Sequence, residues 1–251
     1  MPVSKLGQLV EAMRASVRDA GEDDWWEKMA VYRDVALLLV TFWGTQRSGQ
    51  MASLHTSNAL RLLRNQGILF NFYWAKTRRD GGENIFGVPL RPSQPEVCPL
   101  RALNTYVKLA RSLGWDMGGY LFHAMTPVSK LPPGSLATRH KAAQGYPHVL
   151  QQPAMNDILR VRLEQFGLFK GDTMHGFRSG GGVQARLTGM EADDLSDQAG
   201  WKDPEMAEYY LRLMAVLQPG GIDTSLFSPG DYETLNNLGI DLTADSHNAF
   251  P

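Results

Sequence analysis

One cysteine among 251 residues, Cys98, leaves no partner for an internal disulfide, and no Cys/His grouping has the spacing of zinc ligands. A disulfide-stapled secreted fold and a structural zinc site are excluded, and a reducing, intracellular setting is expected. Long apolar runs are missing too. The longest, Val35 to Trp43, is far short of the roughly 20 residues that span a bilayer, and the first residues lack the basic-then-apolar layout of a signal peptide. No membrane role is expected. Nor is there an excess of either charge: 25 Lys and Arg face 26 Asp and Glu, for a net charge of -1. A surface basic all over, the usual footprint of a nucleic-acid binder, is therefore excluded, while a basic cleft in an acidic surround is not. Internal repeats and low-complexity tracts are absent.

What is present is 43% apolar residues, enough for one large domain with appendages. Leu6, Leu9, Val10, Met13 and Val17 recur at helical spacing and predict a helix over 4–19. Residues 25–44 form a strongly apolar second helix, and 48–63 read as a third after a break near Gly44 and Gly49. The composition changes at Gly67. Aromatic and branched residues over 68–74 lead through Arg79-Asp80-Gly81-Gly82 into 85–88, which predicts a β-hairpin. Pro99 opens a helix over 100–113, residues 119–122 look extended, and 124–153 make a long loop. Helical patterns resume at 155–166, 173–187, 192–199 and 204–216, before a polar tail with a short helix around 231–237. The expected fold class is mostly α with a small antiparallel β-sheet or hairpin (α+β).

Four places carry charged or nucleophilic groups that a helical core does not need. Arg47 follows the most apolar helix, which aims it out of the core into a cleft. Lys76 closes an aromatic strand. His175 and Arg178 are three apart on a helix and share a face. The segment from Gly200-Trp201 to Tyr210 carries an indole and a phenol. Each alone has a bland explanation: a capping arginine, a solvated charge run, a helix-face pair, a packed tryptophan.

Together and in order, they resemble the tyrosine recombinases. The text is Gly44-Thr45-Gln46-Arg47, Ala75-Lys76-Thr77, His175-Gly176-Phe177-Arg178, then Gly200-Trp201 with Tyr210 nine residues on, and the likeness spans residues 30–215. Arg33-Asp34, Val97-Cys98-Pro99, Tyr120-Leu121-Phe122 and Tyr209-Tyr210 look like the recombinases of eukaryotic mobile elements, either Crypton or DIRS-like. Tyr209 and Tyr210 both fit one helix stripe; the spacing from Trp201 in the resemblance selects Tyr210.

The resemblance implies a tyrosine recombinase catalytic domain over 24–217, with a helix and linker at 1–23 and a tail at 218–251 that docks in trans. It implies cleavage and rejoining of double-stranded DNA through a 3′-phosphotyrosine, for integration of a mobile element. Tyr210 is then the nucleophile, Arg47 and Arg178 clamp the phosphate, His175 assists as base or donor, Lys76 protonates the leaving oxygen, and Trp201 donates from its indole. No cofactor and no metal are implied. The expected partners are DNA and further copies of the chain, as a tetramer on DNA, and a eukaryotic origin implies the nucleus.

Two departures stand against the family pattern. Gln50 occupies a position usually acidic, and only about 25 residues precede the catalytic region, where the family carries a second DNA-embracing domain. They favour the alternative of a non-catalytic, domesticated or decayed recombinase fold that binds DNA or protein. Type IB topoisomerases share the chemistry but not the surrounding text. Gly180 to Ala185 matches a degenerate dinucleotide fingerprint, but no strand is expected before it. The glycine run 180–182 inside a predicted helix instead points to close backbone packing.

Overall fold

A computed structural model of the chain describes residues 1–21, 24–63, 66–72, 84–115, 117–125 and 150–201. The expected turn at 79–82, most of the 124–153 loop, and everything after Trp201, including the predicted helices at 204–216 and 231–237, lie outside the described residues.

Helix α1 (Val3–Ser16) is followed by α2 (Trp25–Gly44), the axis of the molecule. An α-helix that is apolar on all sides must be covered on all sides, and the sequence of α2 from Val35 to Gly44 is buried throughout. Helix α4 (Pro99–Ser112) covers one flank and α6 (Met174–Leu187) another, while α5 (Gln152–Gln165) and α7 (Ala192–Ala199) complete the described helical shell. Pro99 takes the first position of α4, where its missing N–H costs nothing. Leu6, Leu9, Val10 and Met13 of α1 are fully enclosed in the same apolar cluster as α2.

The expected helix over 48–63 is corrected. Only α3 (Ser48–Ala52) is α-helical; a 3-10 turn at Thr56–Asn58 follows, then strand β1 (Ala59–Leu63). Local side-chain bonds compete with the helix here. The His55 N–H donates to Asn58 Oδ1 at 2.8 Å, Ser57 N–H donates to His55 Nδ1 at 3.2 Å, and Asn58 Nδ2 donates to the Asn71 carbonyl at 2.8 Å. β1 then pairs antiparallel with β2 (Gly67–Phe72), and β2 with β3 (Asn84–Pro89), in the order β1-β2-β3. The expected hairpin is therefore the β2-β3 part of a three-stranded sheet. Phe70 and Phe72 stack on Phe86 with ring centroids 5.3 and 5.2 Å apart, which seats the sheet on the end of α2. Residues 119–122 contribute only an isolated bridge between His55 and Tyr120.

The glycine run has the close packing expected of it. A Cβ on Gly181 would lie 2.0 Å from the Phe42 carbonyl oxygen, so α6 and α2 meet backbone to backbone. Phe177, one turn earlier, packs edge-on against Phe42 at 5.8 Å. Gly181→Ala is expected to destabilise the fold by about 1–3 kcal/mol, the usual cost of overpacking. Urea unfolding measures it; a midpoint equal to the parent's would mean that α6 can back away freely.

Candidate functional site

The last turn of α2 ends at Gly44, and Thr45 takes a left-handed conformation (φ 53°, ψ 22°), the only described non-glycine residue with positive φ. This sharp corner ends the apolar helix and starts α3 in a new direction, with Arg47 in the N-cap position. The Arg47 carbonyl accepts from Gln50 N–H at 3.0 Å and Met51 N–H at 3.1 Å. Burial lowers the pKa of its guanidinium below the ordinary value, and an arginine so displaced still carries its charge.

Helix α6 is set by its cap. Thr173 Oγ1 accepts from Gly176 N–H at 3.1 Å, which fixes the first turn and with it His175 and, one turn on, Arg178. His175 is exposed, whereas Arg178 is 5% exposed. The Arg178 guanidinium donates to the Ala199 carbonyl at 2.6 Å and lies 5.5 Å from the centre of the Trp201 ring. Such cation–π contact orients both groups. Gly200, left-handed at φ 63°, ends α7 and turns the chain so that Trp201 follows at the mouth.

Arg47, His175, Arg178 and Trp201 line one cleft of about 860 Å³. They come from the α2-α3 corner, the α6 N-terminus and the end of α7, separated by up to about 150 positions. Lys76 and Tyr210 lie outside the described residues, as does Tyr209. Two guanidinium groups, an imidazole and an indole thus share one recess with Asp157 and Asp172, and planar guanidinium forks are chemically suited to the tetrahedral oxygens of a phosphodiester.

Sequence reasoning missed the opposite wall. Gln152, Asn156 and Arg160 form an i, i+4, i+8 row on α5 and also line the cleft, while Met155, Leu159 and Leu163 of the same helix are buried. That alternation was present in the text as an amphipathic stripe, but nothing local says what the polar side faces. Arg160 pairs with Asp157 at 3.2 Å with both side chains more than half exposed, a weak contact in water. Asp172, also on the rim, is held by Lys5 of α1 at 2.6 Å.

Among the described residues no group of three or more His, Cys, Asp or Glu could hold a metal ion. No described helix is long and apolar enough to cross a membrane. The stretch 180–185 lies within α6 and follows α5 and a loop, so the strand that a dinucleotide turn requires is not there.

Comparison with protein-family models and with curated proteins finds no match. Solved structures do match. XerH site-specific recombinase bound to palindromic difH substrate, in a post-cleavage complex, superposes with a TM-score of 0.56 at 12% identity over 86% of this chain. XerH in a pre-cleavage complex with difH gives 0.54 at 12% identity over 87%. XerA recombinase gives 0.53 at 17% identity over 87%. The chain has the tyrosine recombinase catalytic-domain fold. It spans 50%, 52% and 63% of the lengths of those three chains.

Proposed function

We propose that this chain cuts and rejoins double-stranded DNA through a 3′-phosphotyrosine, with residues 24–217 as the catalytic domain. The observation that carries the reading is the shared cleft: Arg47, His175, Arg178 and Trp201, picked out in the sequence for one chemistry, line a single recess. The fold it shares with XerH and XerA supports it as well.

A phosphodiester repels an oxygen nucleophile, and the pentavalent transition state gathers negative charge on its non-bridging oxygens. Arg47 and Arg178 supply fixed positive charge there, and the Trp201 indole adds a neutral donor. A phenol of ordinary pKa near 10 attacks only once deprotonated, and the surrounding cations with His175 favour that loss. Tyr210 Oη forms the bond to phosphorus as the bond to the 5′ oxygen breaks. That oxygen takes a proton from Lys76 and leaves as a hydroxyl. Reversal by another 5′ hydroxyl rejoins the strand without loss of bond energy. Self-association on DNA through 218–251, integration of a mobile element of Crypton or DIRS type, and a nuclear site of action belong to the same reading.

A second reading, a non-catalytic relative of the same fold, draws support from Gln50. Both of its side-chain amide atoms are enclosed, and among the described residues neither has a hydrogen-bond partner. A buried amide left unsatisfied is costly, which fits a position that has drifted from an acidic ancestor.

One experiment separates the two. Incubation with a nicked duplex bearing the terminal sequences of the parent element traps a covalent adduct, and peptide mass spectrometry locates it. The expected result is a nucleotide on Tyr210. A nucleotide on Tyr209 would reassign the nucleophile, and DNA binding with no adduct would establish the non-catalytic reading.

A further inference from the structure

Outside the cleft, two glutamines join three elements at one point. Gln198, on the last turn of α7, bonds both polar backbone groups of Gly87 in β3. Its Oε1 accepts the Gly87 N–H at 2.8 Å, and its Nε2 donates to the Gly87 carbonyl at 2.6 Å. Nε2 also reaches the Gly44 carbonyl at the end of α2, at 3.3 Å. Gln46 sits beneath: its Nε2 donates to the same Gly44 carbonyl at 3.1 Å and to the main-chain carbonyl of Gln198.

This arrangement has a clear physical sense. β3 is an edge of the described sheet, paired with β2 on one side only. An edge residue exposes one N–H and one C=O that a neighbouring strand would bond. A carboxamide has the same donor and acceptor as a peptide unit, so Gln198 serves Gly87 as a strand one residue long. A Cβ on Gly87 would stand 3.7 Å from Gln198 Oε1, an ordinary contact distance, so the amide packs directly on the strand at this position. A second contact lies three residues away. Gly200 packs so closely on Asn84, the first residue of β3, that a Cβ would lie 2.9 Å from Asn84 Oδ1. Asn84 N–H in turn donates to Asn71 Oδ1 at 3.1 Å, closing the base of the β2-β3 pair.

We infer that Gln198 is a positioning residue that ties the edge of β3 to α7 and to the end of α2, acting through Gly87. The inference rests on the strand-cleavage reading above, in which the sequence joining β2 to β3 carries the general acid Lys76. The division of labour between the glutamines makes it specific. With Gln198 gone, the Gly44 carbonyl keeps Gln46, and the Ala199 carbonyl keeps Arg178. The arginines keep their surroundings, and β3 loses the two amide bonds at Gly87 while keeping the contact of Asn84 with Gly200.

The test compares two DNA substrates in single-turnover cleavage by the full chain: the native phosphodiester and one whose bridging 5′ oxygen is sulfur. A thiolate leaves without needing a proton, so the second substrate bypasses the general acid. Lys76→Ala is the reference, slow on the first and restored on the second. Gln198→Leu is expected to follow it, with a loss on the order of 10²-fold on the phosphodiester, as for an ångström-scale misplacement, and parent-like cleavage of the thiolate substrate. Equal loss on both substrates, or loss on neither, overturns the inference. So does a Lys76→Ala variant that sulfur fails to restore. If Gln198→Leu does not fold, Gln198→Asn, whose amide is one methylene too short to span to Gly87, must show the same split. A parent chain that cleaves neither substrate sinks the strand-cleavage reading itself, and the inference with it.

Discussion

Arg178→Ala is expected to slow covalent adduct formation by on the order of 10³-fold, and Arg178→Lys to recover only a minor part of that loss. Removing one preorganised donor to a developing oxyanion typically costs 10²–10³-fold, and Arg178 has further duties that raise the figure toward the upper end. Its guanidinium is buried at 5% exposure, tied to the Ala199 carbonyl at 2.6 Å and set against the Trp201 ring. The same side chain thus fixes the turn that leads into Trp201 and, in the proposed reaction, would hold the phosphate as well. Lysine restores the charge but not the planar fork, which can serve a carbonyl and a phosphate oxygen at once in fixed geometry. Single-turnover rates on nicked DNA, with melting temperatures alongside, separate chemistry from folding. A lysine variant as fast as the parent would show that charge alone suffices and that the fork is idle.

Asp34→Ala should unfold the protein more readily than any change at the cleft, by about 3–5 kcal/mol, the cost of stripping one partner from a buried ionic group. Asp34 is 2% exposed in the middle of α2. Its Oδ1 accepts two bonds from Arg33, at 2.6 and 2.9 Å, and its Oδ2 accepts from Arg162 of α5 at 2.9 Å. Arg33 also donates to the His123 carbonyl at 3.0 Å. Alanine leaves two guanidinium groups facing each other in the interior with no anion between them. At about 2–4 °C per kcal/mol for a chain of this size, the melting temperature should fall by roughly 6–20 °C. Replacing Arg33, Asp34 and Arg162 together by apolar residues of similar volume should recover most of the loss, because the cost lies in the unpaired charge and not in the absent pair. If Asp34→Ala melts with the parent, water reaches the site and the network is not a buried one.

Arg33-Asp34 was visible in the sequence as a charged pair within an apolar helix, and the family resemblance singled it out. What it does was not visible, since the residue that completes it stands 128 positions away. The same limit explains β1. Its segment carries enough leucine to continue a helix, and only the partner strand and the His55–Asn58 bonds decide otherwise. Gln198 shows the limit most plainly: on α7 it reads as an ordinary polar position, and its two bonds to Gly87 cross 111 residues.

By itself the sequence determined what short-range physics determines. The bounds of α2 follow from a strongly apolar pattern that breaks at Gly44, the start of α4 from Pro99, the shared face of His175 and Arg178 from the helical period, and the tight α2-α6 approach from a run of glycines. The tertiary structure alone decided that Arg47, His175, Arg178 and Trp201 open into one recess, that α5 forms its far wall, and that a glutamine amide stands in for a missing strand. Periodicity carries information over one or two turns, whereas these arrangements depend on how whole faces meet once the apolar ones have been buried.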